Sequence, residues 1–147
     1  MNRNIKLIMV LFLTGLTTLC AQDWKHSFEE AKEIASKEDK PIILVFQGSD
    51  WCAPCIKLDR EVWSTNEFQS YAREHYVMLQ ADFPRRKKNK LPEAQLNANK
   101  KLAEQYNRMG VFPLVVVLDK NGNVLGETSY QKMGPKKYIA LLNNFIK

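Results

Sequence analysis

The chain has 147 residues, 45% of them hydrophobic, and a formal net charge of +6, with three cysteines and two histidines. That length allows one domain with a substantial core. So few cysteines exclude a multi-disulfide scaffold, and two distant histidines, His26 and His75, exclude a finger-like zinc site.

Residues 1–21 read as a secretory signal and 22–147 as the domain. Arg3 and Lys6 form a short basic region, and Ile5 to Leu13 is almost wholly apolar but too short for a committed membrane span. Cleavage after Ala21 leaves Gln22 first, in an exported, periplasmic protein. Cys20 is a bland signal-region cysteine on this reading. The alternative is a lipid anchor at Cys20, which the bulky Leu19 before it opposes.

Ser27 caps a helix with Glu29 and Glu30 in its first turn and Phe28, Ala31, Ile34 and Ala35 on one apolar stripe. Asp39-Lys40-Pro41 ends it. Residues 42–46 are an apolar run between breakers, a buried central strand. Gln47-Gly48-Ser49-Asp50 then delivers Trp51-Cys52-Ala53-Pro54-Cys55 at a strand-to-helix turn. Cys52 falls at the helix N-terminus, where unpaired N–H groups favour a thiolate, the nucleophilic form. Cys55 lies one turn on, on the same face. Pro54 presets φ and loses no needed N–H. Ala53 permits close approach of a partner chain, and Trp51 is an apolar shoulder. Such a pair is a working redox couple, a structural bridge or half of a metal site.

Leu58 and Val62 continue the inward face of the redox helix. Ser64 with Glu67 reads as a capping box for a helix to about Glu74. Tyr76 to Ala81 is the next strand. The loop from Pro84 to Pro92 carries Arg85-Arg86-Lys87-Lys88-Asn89-Lys90. Its plain reading is a solvated loop tip, and its functional reading is a dock for an acidic partner or anionic surface. No aromatics interleave with the charges, so nucleic acid is not the expected partner. Ala98, Leu102 and Tyr106 stack on one face of a further helix. Phe112-Pro113 precedes the strand Leu114 to Leu118. Asn121-Gly122 signals a type I′ hairpin into Val124 to Thr128. Gly134-Pro135 opens a last helix with Tyr138, Leu141, Leu142 and Phe145 inward. Trp24 and Trp63 are core or staple residues, His26 a surface residue, and His75 lies at a helix end. The order predicts an α/β domain: a four-stranded mixed sheet with helices on both faces.

These residues resemble the thioredoxin superfamily over about residues 24–147. Trp51-Cys52-Ala53-Pro54-Cys55 is similar to that family's W-C-G-P-C, with Ala for Gly. Phe112-Pro113 is similar to its cis-proline site, Asp119-Lys120-Asn121-Gly122 to its hairpin turn, and Gly134 to the glycine before its last helix. The Gly48-Ser49-Asp50-Trp51-Cys52 lead-in resembles exported bacterial members. The resemblance implies a thioredoxin fold and a thiol–disulfide oxidoreductase. Cys52 attacks a protein disulfide, Cys55 resolves the mixed disulfide, and Trp51, Ala53, Pro54, Phe112 and Pro113 contact the substrate. It implies no cofactor beyond the cysteine pair, no metal, a monomer, and a membrane electron donor if the enzyme is a reductase. The alternatives are an isomerase or oxidase, or a binding module of the same fold. One departure stands out. Cytosolic thioredoxins carry a buried Asp six residues before the first cysteine, and here that position is Phe46. Asp50, Asp82 and Glu61 are the candidate proton acceptors in its place.

Overall fold

Five consecutive apolar side chains, Ile42 to Phe46, can be satisfied only with protein on both sides of their strand. All five are completely buried. The structure is a computed structural model and describes residues 21–147. The basic and apolar N-terminal features and Cys20 lie outside the described residues. Along the chain come β1 (Trp24–Lys25), α1 (Phe28–Glu38), β2 (Ile42–Gln47), α2 (Ala53–Leu58), a π-helical turn (Asp59–Trp63), α3 (Asn66–His75) and β3 (Val77–Asp82). A 3₁₀ turn (Lys87–Asn89), α4 (Glu93–Tyr106), β4 (Leu114–Leu118), β5 (Val124–Thr128) and α5 (Pro135–Ile146) follow. Among the described residues no helix is long and apolar enough to cross a membrane.

The sheet order is β1-β3-β2-β4-β5. β1, β3 and β2 run parallel, while β4 is antiparallel to β2 and β5 to β4. The expected four-stranded sheet therefore has a fifth strand. Trp24 and Lys25 pair with Met78 and Leu79 at the open edge of β3. Two residues carry no period-2 signal, so pairing rather than pattern creates this strand.

Alternation along β2 divides the core in two. Ile43 and Val45 face Leu58, Trp63, Phe68 and Tyr138. Ile42, Leu44 and Phe46 face Ala35, Leu102 and Tyr106. Each fully buried Leu, Ile or Phe contributes about 1.5–3 kcal/mol relative to exposure, so β2 is firmly anchored in the core. Trp63 packs edge-on against Trp24, Phe68 and Tyr138, the core role expected of Trp24 and Trp63.

Local chemistry explains the element ends. Ser27 Oγ accepts the Glu30 N–H at 3.3 Å, as its cap position requires. The cap of α3 is Thr65, not Ser64: Thr65 Oγ1 accepts the Phe68 N–H at 3.3 Å. Ser64 instead closes the π-helical turn, its N–H bonded to the Asp59 carbonyl at 2.8 Å and its Oγ donating to Asp59 Oδ2 at 3.1 Å. On α4 the inward residues are Asn99, Leu102 and Tyr106, while Ala98 is exposed. Asn99 is drawn inside because its Nδ2 donates to the Asp82 carbonyl at 2.8 Å and its Oδ1 accepts from Gln95 at 2.9 Å. The β4–β5 connection is not type I′, which needs positive φ at both central residues. Only Gly122 has it, at 90°. Its N–H donates to the Asp119 carbonyl across Lys120-Asn121, and the β4–β5 register shifts between Val117 and Leu118, just before the turn. Gly134 caps α5 with Pro135 in its first turn, as the sequence predicts.

Candidate active site

The carboxyl end of β2 positions the site. Gln47 leaves the sheet, Gly48 accepts the Cys52 N–H on its carbonyl at 2.9 Å, and the chain turns directly into α2. The turn is tight because Gly48 has no side chain. A Cβ there would stand 2.3 Å from the Trp51 indole. Trp51 lies across Gly48 and donates its Nε1–H to the Phe83 carbonyl at 2.8 Å.

Cys52 is the N-cap of α2 and Pro54 lies in its first turn. Cys52 and Cys55 are joined in a disulfide with Cα atoms 5.2 Å apart. The Cys55 N–H points at Cys52 Sγ from 3.3 Å. Position at the helix start does not make Cys52 the more open of the two: they are 4% and 3% exposed. Both sulfurs tuck into the start of α2, leaving Ala53 and Pro54 as the exposed crown.

Leu114 pairs with Phe46, so Pro113 sits at the same end of the sheet as Gln47 and the cysteines. The Phe112–Pro113 bond is cis, as the resemblance implies. Phe112 is half-buried and meets Trp51 edge-on with ring centres 5.6 Å apart. Phe83 also meets Phe112 edge-on, at the same separation. The Pro113 carbonyl accepts from Ser129 Oγ, and the Ser129 carbonyl accepts from Tyr138 Oη at 2.9 Å. The structure thus brings Trp51, Cys52, Ala53, Pro54, Cys55, Phe112 and Pro113 to one end of the molecule.

The three expected proton acceptors are otherwise engaged. Asp82 Oδ1 accepts from the backbone of Ser49 and Phe83, and its Oδ2 from Ser49 Oγ at 2.6 Å. Asp50 accepts from the backbone N–H groups of Arg85 and Arg86 and from Asn89 Nδ2, each at 2.9 Å. The Arg85 N–H foremost holds the Asp50 carboxyl below the usual carboxylate range. Glu61 accepts from Tyr130 Oη at 2.8 Å, which lowers its carboxyl in the same way. Phe46 occupies the family's aspartate position and is fully buried.

The carboxylate that shares space with Cys55 is Asp59. Gln47, Ser49, Cys55, Ile56 and Asp59 line a cavity of about 190 Å³, wide enough for water. Asp59 follows Cys55 by four residues, so helix geometry alone puts both on one face. That spacing is visible in the sequence, although Asp59 is not among the three acceptors expected there.

Arg85 was also missed as a neighbour of the site. Its guanidinium lies 3.6 Å from the centre of the Trp51 ring. His26 is exposed, as expected, and His75 stacks on Tyr71 at 4.0 Å at the end of α3. Among the described residues no cluster of three or more His, Cys, Asp or Glu is assembled that would hold a metal ion.

The pattern of a family described as thioredoxin-like matches residues 23–120. The disulfide bond reductase DsbH of Chlamydia pneumoniae is 36% identical over 122 residues, which cover 83% of this chain and 72% of that protein. A solved structure of a DsbH oxidoreductase is similar at a TM-score of 0.79 and 33% identity, covering 86% of this chain and 85% of the other. A thioredoxin from Thermus thermophilus, 17% identical, shares the fold at a TM-score of 0.63 over 86% of this chain and 88% of its own.

Proposed function

The chain belongs to the thioredoxin-like family and is a thiol–disulfide oxidoreductase, and from that premise we propose that it reduces protein disulfides outside the cytoplasm. The observation that carries the redox chemistry is the Cys52–Cys55 pair bridged at the start of α2, a couple that can open and close with a substrate disulfide. The relative of known activity at 36% identity is a disulfide bond reductase, which supports reduction as the direction.

In the forward cycle Cys52 attacks as a thiolate. The Cys55 N–H, aimed at its sulfur, stabilises that anion. The new Cys52–substrate bond forms as the substrate S–S bond breaks, and the leaving sulfur takes up a proton. Cys55 then attacks Cys52 Sγ and releases the second substrate thiolate. Two electrons have passed to the substrate, and the Cys52–Cys55 disulfide remains. Asp59 takes the Cys55 proton through the cavity they share, replacing the carboxylate whose place Phe46 fills. Trp51, Ala53, Pro54 and Phe112 form the surface on which the substrate strand rests, and the buried Pro113 holds the Phe112 backbone in place beneath it.

The lean towards reduction has a physical reason. A strong oxidant needs an unusually stable thiolate. Here no histidine stands between the cysteines. The N-terminal Arg3, Lys6 and apolar segment support export with removal of residues 1–21. An exported reductase requires reduction in turn, which a membrane dithiol donor drawing electrons from the cytoplasm supplies.

Insulin reduction with dithiothreitol, followed by redox equilibration against glutathione, tests the reading. Catalysed precipitation of insulin and a potential near the thioredoxin end, about −270 mV, are expected. A potential near −120 mV would reverse the assigned direction.

A further inference from the structure

Arg85 to Lys90 carry five cations in six residues, all exposed. In isolation such a loop is merely solvated. Here it is latched beside the redox pair. Asp50, two residues before Cys52, takes the backbone N–H groups of Arg85 and Arg86 and the side chain of Asn89. Arg85 lies over the ring of Trp51, the residue adjoining Cys52. A 3₁₀ turn at Lys87–Asn89 gives the segment a defined shape. The latch spends the Asp50 charge on backbone groups and leaves the lysines unneutralised. None of the ion pairs within 4 Å among the described residues involves any cation from Arg85 to Lys90.

We propose that this strap is a substrate-selection element that binds acidic residues flanking the disulfide presented to Cys52. The inference rests on the oxidoreductase reading and names the substrate class of that site. A fixed cluster of like charges beside a reactive centre raises the encounter rate of oppositely charged partners and rejects like-charged ones, an effect that salt screens. The cations sit on one short loop beside the cysteines and are not spread over an apolar-faced helix. That favours an acidic polypeptide over a membrane surface.

The test uses two disulfide-bridged peptides identical except for three flanking Glu or three flanking Lys, plus uncharged bis(2-hydroxyethyl) disulfide, all with dithiothreitol as donor. At low salt the protein should turn over the Glu peptide with a kcat/KM about tenfold above the Lys peptide. The ratio should fall towards one in 0.5 M salt, by about the screening expected. Lys87→Glu/Lys88→Glu/Lys90→Glu, which leaves Asp50, Arg85 and Asn89 in place, should invert the preference. Its turnover of the uncharged disulfide reports that the redox pair is folded. Equal kcat/KM for both peptides, with normal turnover of the uncharged disulfide, overturns the strap's role. No turnover of any disulfide overturns the oxidoreductase reading instead. Strap-dependent sedimentation with phosphatidylglycerol vesicles, without discrimination between the peptides, would replace the acidic peptide with a membrane.

Discussion

Asp50 and Arg85 lie 35 residues apart in the chain, yet the Asp50 carboxylate accepts the Arg85 N–H at 2.9 Å. That bond joins the loop entering the redox helix to the loop leaving β3. Asp82 makes the reciprocal join by accepting from Ser49. The segment that delivers Trp51 and Cys52 is thereby held from two sides, and Trp51 is sandwiched between Gly48, Phe112 and Arg85.

The Asp50 latch should depend on pH in one direction. Its carboxyl is held below the ordinary aspartate value of about 3.9, so the folded protein favours the charged form. Such a group contributes fully above its unfolded value and loses its contribution as pH falls through the lowered one. The Arg85 and Arg86 amide resonances should stay constant from pH 7 to about 5 and move only below about pH 4. Movement between pH 5 and 7 would contradict the latch.

Gly48→Ala should be costly. The added methyl would collide with the Trp51 ring, which is fixed by its bond to the Phe83 carbonyl. Overpacking of this kind typically costs about 1–3 kcal/mol. Urea unfolding should show the loss, and Trp51→Ala in the same background should restore part of it. A neutral Gly48→Ala would mean that the indole is not held there.

Asp59→Asn should separate the two chemical steps. Attack by Cys52 on a disulfide should proceed at an unchanged rate. Resolution by Cys55 should slow by about 10²–10⁴-fold, the usual range for a lost general base. Stopped-flow release of the second thiol measures this. Equal slowing of both steps would make Asp59 a structural residue only.

Much of this arrangement can be read from the chain. The Cys52–Cys55 spacing, the apolar run before it, Pro113 ahead of a valine-rich strand and the Gly134-Pro135 helix start are local patterns, and the structure contains each. What could not be read depends on pairing between distant segments. Trp24–Lys25 becomes a strand only because β3 has an open edge. The strap is ordered by backbone N–H groups, which every residue but proline possesses and which therefore leave no mark in the sequence. The burial of Asn99 looks wrong for a polar residue until the Asp82 carbonyl is placed above it. Asp59 was readable by helix spacing from Cys55, but only the structure shows the cavity that connects them.

Trapping tests the division of labour between the cysteines most directly. The two thiols are equally buried, so the assignment rests on Cys52 capping α2 and receiving the Cys55 N–H. Each single-serine variant, reduced and then incubated with a disulfide-bonded protein, is to be analysed by intact-mass spectrometry. The account predicts a stable mixed disulfide through Cys52 in Cys55→Ser and none in Cys52→Ser. Accumulation of mixed disulfide through Cys55 in Cys52→Ser, with none in Cys55→Ser, would contradict it.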